Sequence, residues 1–307
     1  MKKNYDVIII GAGIAGMTSA LYLKRYGMDI LLIEKEYPGG QLTKIAQIEN
    51  YPGFLEINGF DLANRIYEQV KKLEIPIIFE NVENIKEKEN SKIVETKNEI
   101  YEAKYIVLAT GRKPRKLNLP FEEELTGRGI SYCATCDGPL YKNKNVLVVG
   151  GGDSALQEAL YLSSICNKVT IIHRRNCFRA REELIEKVEK CLNIEIIYNS
   201  VIDTLIEKNS HFSGIKIIKN DEKLELKADG LFVYIGSEVD NSIFSMLNLQ
   251  TKDDYIVVND KYETNIDNVY ACGDIIYKDT YQLTTAVGDA ASLANALHSK
   301  YINEKPM

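Results

Sequence analysis

Asp6-Val-Ile-Ile-Ile10 runs directly into Gly11-Ala-Gly13-Ile-Ala-Gly16, a short β-branched stretch followed by a glycine fingerprint. A nearly unbroken apolar run of this length fits a strand buried on both faces of a sheet. The next residues carry Ala20, Leu21 and Leu23 in a helical pattern that stops at Gly27, a residue type that ends helices. A second strand, Ile30 to Ile33, then ends at Glu34, 23 positions beyond Gly11. Glycines let the backbone approach a pyrophosphate at a helix N-terminus, and an acid at the end of the second strand accepts hydrogen bonds from ribose hydroxyls. The glycine spacing alone is weak evidence; strand before, helix after and acid beyond supply the context a dinucleotide site requires.

The same pattern recurs. Val146 to Val149 read as a strand, Gly150-Gly151-Gly152-Asp153-Ser154-Ala155 follow, a helix runs through Leu160 and Leu162, and Val169 to Ile172 form the next strand. Gly150 corresponds to Gly11, so His173 falls where the first copy has Glu34. The second copy thus replaces the ribose-binding acid with His173-Arg174-Arg175, with Arg179 close behind. A carboxylate there would repel a 2′-phosphate, whereas arginine offers a planar, permanently charged fork of donors. This site is expected to prefer NADPH over NADH.

Gly39-Gly40-Gln41-Leu42 and Ile48-Glu49-Asn50-Tyr51-Pro52-Gly53 are polar, glycine-rich segments, placed where parallel-sheet folds carry ligand loops. Gly59 to Leu73 read as an amphipathic helix. Val82 to Ile85, Lys92 to Glu95 and Ile100 to Ala103 read as an antiparallel meander, followed by a strand from Tyr105 to Ala109. Thr110-Gly111-Arg112-Lys113-Pro114 then breaks both helix and strand and marks a domain boundary. A second meander falls near Thr204 to Glu207, Gly214 to Ile218 and Leu224 to Leu226. The strand Gly230 to Ile235 exits through Gly236-Ser237-Glu238, which resembles the earlier exit at Gly111. The last segment has a strand from Tyr255 to Val258, then Val269-Tyr270-Ala271-Cys272-Gly273-Asp274, then Gln282-Leu283 and an alanine-rich helix from Thr284 to about His298. Asp274 is placed to bind a ribityl or pyrophosphate group and Gln282 to meet a flavin edge. Turn and cap roles account for both residues equally well on this context alone. The expected fold is α/β: two dinucleotide-binding, Rossmann-like domains, each a parallel sheet with helices plus a small antiparallel meander. Residues 1–113 and 241–307 form one domain around a second spanning 114–240.

Ser131-Tyr132-Cys133-Ala134-Thr135-Cys136-Asp137 adds a dithiol. Cysteines at this spacing close a small disulfide ring, and the arrangement commonly lowers one thiol pKa toward neutrality. Asp137 is placed to hand a proton to a departing sulfur. The competing reading, half a zinc site, needs two further nearby ligands. Cys166, Cys177, Cys191, Cys272, His173, His211 and His298 form no second ligand pair, so redox chemistry is favoured and no metal is expected.

Length and charge narrow the function classes. At 307 residues, about two domains are expected. A formal net charge of -6 and a pI near 5.4 leave no basic footprint for nucleic acid. Six cysteines with one close pair do not resemble the framework of a small secreted domain and fit a reducing compartment. The start, Met1-Lys2-Lys3 and an apolar run broken at Gly11, lacks a secretory cleavage pattern. No stretch has the roughly 18 uninterrupted apolar residues of a membrane span. A soluble, cytoplasmic protein is expected.

Taken together these residues resemble the low-molecular-weight thioredoxin reductases, flavoproteins of two dinucleotide-binding domains. The resemblance covers nearly the whole chain: GAGIAG, GGQL, IENYPG, the ATG exit, CATCD, GGGDSA, HRRNCFRA and the closing CGD with its glutamine and alanine-rich helix. It implies FAD in the first copy, held by Gly11, Gly13, Ile14, Ala15, Gly16 and Glu34, by Gly40, Gln41, Leu42 and Asn50, by Val82, Ala109, Thr110 and Gly111, and by Gly273, Asp274, Gln282 and Leu283. It implies NADPH in the second, held by Gly150, Gly152, Asp153, Ser154 and Ala155, by His173, Arg174, Arg175 and Arg179, and by Ile235 and Gly236. Cys133, Cys136 and Asp137 then form the catalytic centre, thioredoxin is the protein partner, and a homodimer through the FAD domains is implied. The chain departs from the family in having Tyr281, where arginine is usual, before Gln282. Gln157-Glu158 stands where two glutamates are common, and Cys272 replaces a usual alanine. Because nicotinamide and dithiol both belong to the central domain yet both serve one flavin, a rotation of residues 115 to 240 is expected, hinged at Gly111 to Pro114 and Gly236 to Asn241. The sequence leaves open a reductase of another disulfide protein, a ferredoxin–NADP reductase on the same architecture, and a catalytically silent nucleotide sensor.

Overall fold

In the computed structural model, which describes residues 3–45, 48–240 and 242–304, the opening run is the strand Asn4–Ile10 at the centre of a parallel sheet. Two units form the chain: Met1–Lys113 with Val239–Met307, and Pro114–Glu238.

In the first unit the strand order is Ile77–Phe79, Ile30–Glu34, Asn4–Ile10, Ile100–Leu108, Ser91–Thr96, Val82–Lys88, with Val269–Ala271 added beside Ile100–Leu108. Side chains alternate as the two-residue period of a strand requires. Val7, Ile9, Ile30 and Leu32 face a core shared with Met17, Leu23, Leu293 and Leu297, while Ile8, Ile10, Leu31 and Ile33 face Ile85, Val94, Phe244 and Leu247. Each such side chain contributes roughly 1.5–3 kcal/mol by leaving water, which is why the run carries no polar residue between Val7 and Ile10. Helix Ile14–Arg25 covers the first face and ends where Gly27 takes φ +80°, its N–H donating to Lys24 O at 3.0 Å.

The expected meander strand at Ile100 and the strand at Tyr105 are one element, Ile100–Leu108. Its first residues pair antiparallel with Ser91–Thr96, and its last three pair parallel with Val269–Ala271 along that edge, so one strand carries both kinds of pairing within a single sheet. The last helix, expected to stop near His298, continues through Leu283–Glu304. Its final turns are held by Tyr301, which donates to Asp6 Oδ2 at 3.2 Å, and by Glu304, which accepts from Tyr105 at 2.5 Å and pairs with Lys104. The strand expected over Tyr255 to Val258 is only Tyr255–Ile256, paired with Thr251–Lys252.

The second unit has a five-stranded, all-parallel sheet in the order Ile194–Ile197, Lys168–Ile172, Asn145–Gly150, Gly230–Tyr234, Ile130–Ser131. Helix Asp153–Ser163 packs Ala155, Leu156, Ala159 and Leu162 on one face, against Val146, Val148, Val169 and Ile171. The antiparallel meander Ser200–Lys208, His211–Lys219, Glu222–Lys227 covers the other with Leu205, Phe212, Ile215 and Ile217. The chain leaves this unit between Glu238 and Val239, because Val239 is buried in the core of the first unit beside Ile243 and Phe244. Asn241, the residue expected at that boundary and in the second hinge, lies outside the described residues, as do Met1 and Lys2. Among the described residues no helix is long and apolar enough to cross a membrane.

Candidate active site

In the first unit the three fingerprint glycines answer to three different constraints. A Cβ at Gly11 would lie 2.5 Å from Ala109 O, and one at Gly16 would lie 1.8 Å from Gly11 O, so both are fixed by backbone packing. Gly13 has an ordinary φ of -71° and a Cβ there would meet nothing within 4 Å. Neither conformation nor protein packing demands glycine at Gly13; what it preserves is open space at the start of helix Ile14–Arg25. That space, with the helix's first amides facing it, fits a pyrophosphate.

Other expected residues converge on the same loop. Gly39 N–H donates to Ala12 O at 2.7 Å, which lays Gly40 against Gly13. Gly273 sits so close to Ala15 that a Cβ on it would lie 2.7 Å from the alanine methyl. Gln41 Nε2 donates to Arg112 O at 2.6 Å, tying the loop to the exit at Thr110 and Gly111. Asp274 Oδ2 accepts from Arg112 at 2.8 Å, and the guanidinium also lies 4.6 Å from the centre of the Tyr281 ring. A guanidinium therefore stands beside position 281 although the residue there is tyrosine. Asn50 Nδ2 donates to Gln282 Oε1 at 3.2 Å, bringing two distant segments together. Leu42 and Val82 are placed by the two cores, and Leu283 begins the last helix.

Glu34 is buried, and its carboxylate is already engaged: Oε2 accepts from Ala12 N at 2.7 Å and Oε1 from Glu36 N at 3.0 Å. Two oxygens offer about four acceptor positions, so capacity for ribose hydroxyls is left. Thr110 Oγ1 is buried without a hydrogen-bond partner among the described residues, and Asp274 Oδ1 has only a longer ion-pair contact, 3.7 Å to Lys278 Nζ. Polar atoms in that condition are costly unless something completes them. The donor and acceptor set fits a flavin dinucleotide.

The second glycine loop is built alike. Gly150 has φ +154° and room for no Cβ, since Tyr234 O would lie 2.4 Å away, whereas Gly152 takes φ -103° and a Cβ there would meet nothing. Asp153 opens the helix and accepts from Arg181 N and Nε at 2.9 and 2.8 Å. Ala155 is buried under the loop and Ser154 is exposed. His173, expected in the second dinucleotide site with Arg174, Arg175 and Arg179, is buried whereas those three are exposed. Its ring is buried beneath Gly151, where a Cβ would come within 2.2 Å of it; Nε2 lies 2.9 Å from Cys177 O, and Phe178 and Tyr198 flank it. Burial pushes its pKa down, so it shapes the loop as a neutral ring. Arg174, Arg175 and Arg179 are exposed and form no carboxylate ion pair among the described residues. Arg179 N–H fixes the loop by donating to Gly151 O at 2.8 Å. Where the first site offers a carboxylate, this one offers three cations, which fits a phosphorylated dinucleotide. Ile235 and Gly236 close the adjacent strand end, with Gly236 O accepting from Arg115 N at 3.0 Å.

Cys133 and Cys136 form a disulfide. The pair follows the edge strand Ile130–Ser131, registered to Leu231 and Phe232. Cys133 N–H donates to Ser131 Oγ at 3.0 Å, Cys136 N–H to Cys133 Sγ at 3.1 Å, Asp137 N–H to Cys133 O at 3.1 Å, and Ala134 N–H to the Tyr234 hydroxyl at 2.7 Å. Cys133 is buried, Cys136 is exposed and Asp137 is half-buried immediately after it. Tyr132 donates its phenol proton to buried Glu122, which also accepts from Leu117 N and Asn118 N at 2.7 Å each. Burial pushes the Cys166 thiol up to about 11 and the Cys272 thiol up to about 12, so neither is a ready thiolate near neutral pH. Among the described residues no cluster of His, Cys, Asp or Glu could hold a metal. The sequence did not single out Arg112, Glu122 or Tyr234, because their roles depend on partners far along the chain.

A family model described as pyridine nucleotide-disulphide oxidoreductase matches residues 5–291. The thioredoxin reductase of Listeria monocytogenes serovar 1/2a is 39% identical over 305 residues, 99% of this chain and 95% of that protein. The thioredoxin reductase of Bacillus subtilis strain 168 is 37% identical, with 99% and 96% covered. The crystal structure of Lactococcus lactis thioredoxin reductase superposes with a TM-score of 0.91 at 39% identity, covering 98% of this chain and all of that one.

Proposed function

The chain belongs to the pyridine nucleotide-disulphide oxidoreductase family and is an oxidoreductase; from that premise we propose that it is a thioredoxin-disulfide reductase drawing electrons from NADPH through FAD and the Cys133–Cys136 pair. The observation that carries this reading is the Pro114–Glu238 unit itself: it holds both an exposed–buried cysteine pair and a glycine loop rimmed by three exposed arginines without a carboxylate partner among the described residues.

When bound, the flavin and the nicotinamide supply the hydride and two-electron chemistry. The chain's residues do the rest. Gly13 and Gly152 keep the two helix starts open for pyrophosphates, Glu34 and Asp274 accept from sugar and ribityl hydroxyls, and Asn50 and Gln282 orient the flavin edge. Arg174, Arg175 and Arg179 select the 2′-phosphate. Exchange with the partner starts from the reduced pair: one thiolate attacks the partner disulfide, the second resolves the mixed disulfide, and the partner leaves with two thiols while Cys133–Cys136 is oxidised. Cys136 is the sulfur a protein partner can reach, and Asp137 beside it holds the proton for a leaving thiolate. Because the arginine site and the dithiol belong to one unit, they serve the flavin in turn, which requires that unit to move as a body on its two crossings. The same reading includes a homodimer and a reducing, cytoplasmic setting, supported by the family resemblance and by four cysteines left as free thiols.

The test is turnover of the purified, flavin-loaded chain on thioredoxin. NADPH should support it at least about tenfold better than NADH, since charge-assisted phosphate contacts are worth about 1.5 kcal/mol or more each. Equal rates with both carriers, or thioredoxin reduction that survives Cys136→Ser, would contradict the proposal.

A further inference from the structure

Tyr234 ends the strand Gly230–Tyr234, which lies between Asn145–Gly150 and the edge strand Ile130–Ser131, and its backbone is tightly fixed. It pairs in register with Gly150, which approaches so closely that no Cβ would fit between Gly150 and the Tyr234 carbonyl oxygen. From that anchored position the side chain crosses toward the neighbouring edge strand, and its hydroxyl accepts the Ala134 N–H at 2.7 Å, a contact between residues 100 apart in sequence. Ala134 is the residue after Cys133 and is fully buried, so its amide has few alternatives. The bonds from Cys133 N–H to Ser131 Oγ, from Cys136 N–H to Cys133 Sγ and from Asp137 N–H to Cys133 O come from within the segment itself. Burial holds the Tyr234 phenol well above its usual pKa, so it remains a neutral hydroxyl able to accept this bond throughout the physiological range.

We propose that Tyr234 is a positioning residue for the dithiol: by holding the Ala134 amide it shapes the Cys133–Cys136 turn for sulfur–sulfur bonding and biases the pair toward the disulfide. The inference rests on the reading that this pair cycles between disulfide and dithiol. Its physical basis is reciprocity. The disulfide fixes the turn and so lowers the entropic cost of the Tyr234–Ala134 bond; the bond must then favour the disulfide by the same factor. Once the sulfurs part, the turn has to be ordered by hydrogen bonds alone, and the same contact contributes less. A tyrosine that merely filled the core would leave this equilibrium alone, because phenylalanine fills the same space.

The experiment compares the full-length protein with Tyr234→Phe, each equilibrated anaerobically in glutathione buffers, with Cys133 and Cys136 thiols counted by alkylation. The reaction is balanced: two glutathiones are oxidised to their disulfide while the Cys133–Cys136 bond breaks and each sulfur gains a proton. Tyr234→Phe should move the equilibrium about three- to tenfold toward the dithiol, roughly 15–30 mV at 29.6 mV per tenfold, and amide exchange at Ala134 should speed up. An equilibrium within about twofold of the parent, or one displaced toward the disulfide, overturns the proposal. Neither nicotinamide nor a protein substrate enters the measurement. A parent protein unable to reduce thioredoxin with NADPH would therefore count against the functional reading while leaving this equilibrium to be judged separately.

Discussion

The backbone amide of Ala12 donates to Oε2 of Glu34 at 2.7 Å, so the acid that ends the second strand also holds the first glycine loop in shape. Glu34 therefore has a structural duty before any ribose reaches it. Glu34→Ala leaves the amides of Ala12 and Glu36 without acceptors, at about 1–3 kcal/mol each. The flavin-free protein should lose roughly 2–6 kcal/mol in urea unfolding, and Glu34→Gln, which keeps one acceptor oxygen, should lose less. An unchanged flavin-free stability in Glu34→Ala would mean that the clamp is not made in solution.

Gly13 and Gly152 make the opposite prediction. Their φ angles suit alanine and their missing Cβ atoms point into open space. A weaker N-cap and a stiffer unfolded chain offset each other, so Gly13→Ala and Gly152→Ala should change ligand-free stability by less than about 1 kcal/mol. Each should nonetheless lower retention of its own dinucleotide, flavin for Gly13 and NADPH for Gly152, measured by absorbance and by equilibrium binding. Gly16→Ala is the control, since its Cβ would meet Gly11 O at 1.8 Å and the variant should unfold.

His173 gives a pH dependence of defined sign. Its folded pKa is depressed by burial, whereas in the unfolded chain it sits near 6.5. Between those values the unfolded state binds more protons, so stability is complete above about pH 6.5, falls as pH drops below it, and levels off under the folded value. Unfolding followed between pH 7 and 5.5 should show this slope, and His173→Gln should flatten it. A slope that survives the substitution assigns the effect to another group.

Thiol reactivity follows exposure. After reduction, alkylation at pH 8 should reach Cys136 well before Cys133, because Cys136 is exposed and Cys133 is buried. Cys166 and Cys272 should stay unmodified in the native state, with thiolate fractions of about one in a thousand and one in ten thousand at that pH. Peptide mapping by mass spectrometry reads the order directly. Labelling of Cys133 first would reverse the assignment of the accessible sulfur.

What the sequence displayed and what it hid follow from the range of the interactions. Both glycine loops, their strands and the dithiol were legible because each is specified by residues within about 30 positions: a β-branched run, a glycine and the charge after the next strand. The single strand Ile100–Leu108 was not, because it draws antiparallel partners from Ser91–Thr96 and parallel ones from Val269–Ala271, some 160 residues away. The last turns of helix Leu283–Glu304 depend on Asp6, Lys104 and Tyr105, which no local pattern announces. His173 aligns with Glu34 in the sequence, but periodicity cannot say that its ring turns under Gly151 while Arg174 and Arg175 are exposed. Arg112 beside Tyr281 and Tyr234 beside Ala134 are tertiary contacts of the same kind.

The most direct test of the central claim is an anaerobic NADPH titration of the flavin-loaded chain, with thiols counted before and after. The account predicts a rise from four thiols to six as NADPH is consumed, with the new pair mapped to Cys133 and Cys136 and absent in Cys133→Ser. A count that stays at four while NADPH is oxidised would contradict it, because electrons would then be leaving the protein without passing through this sulfur pair.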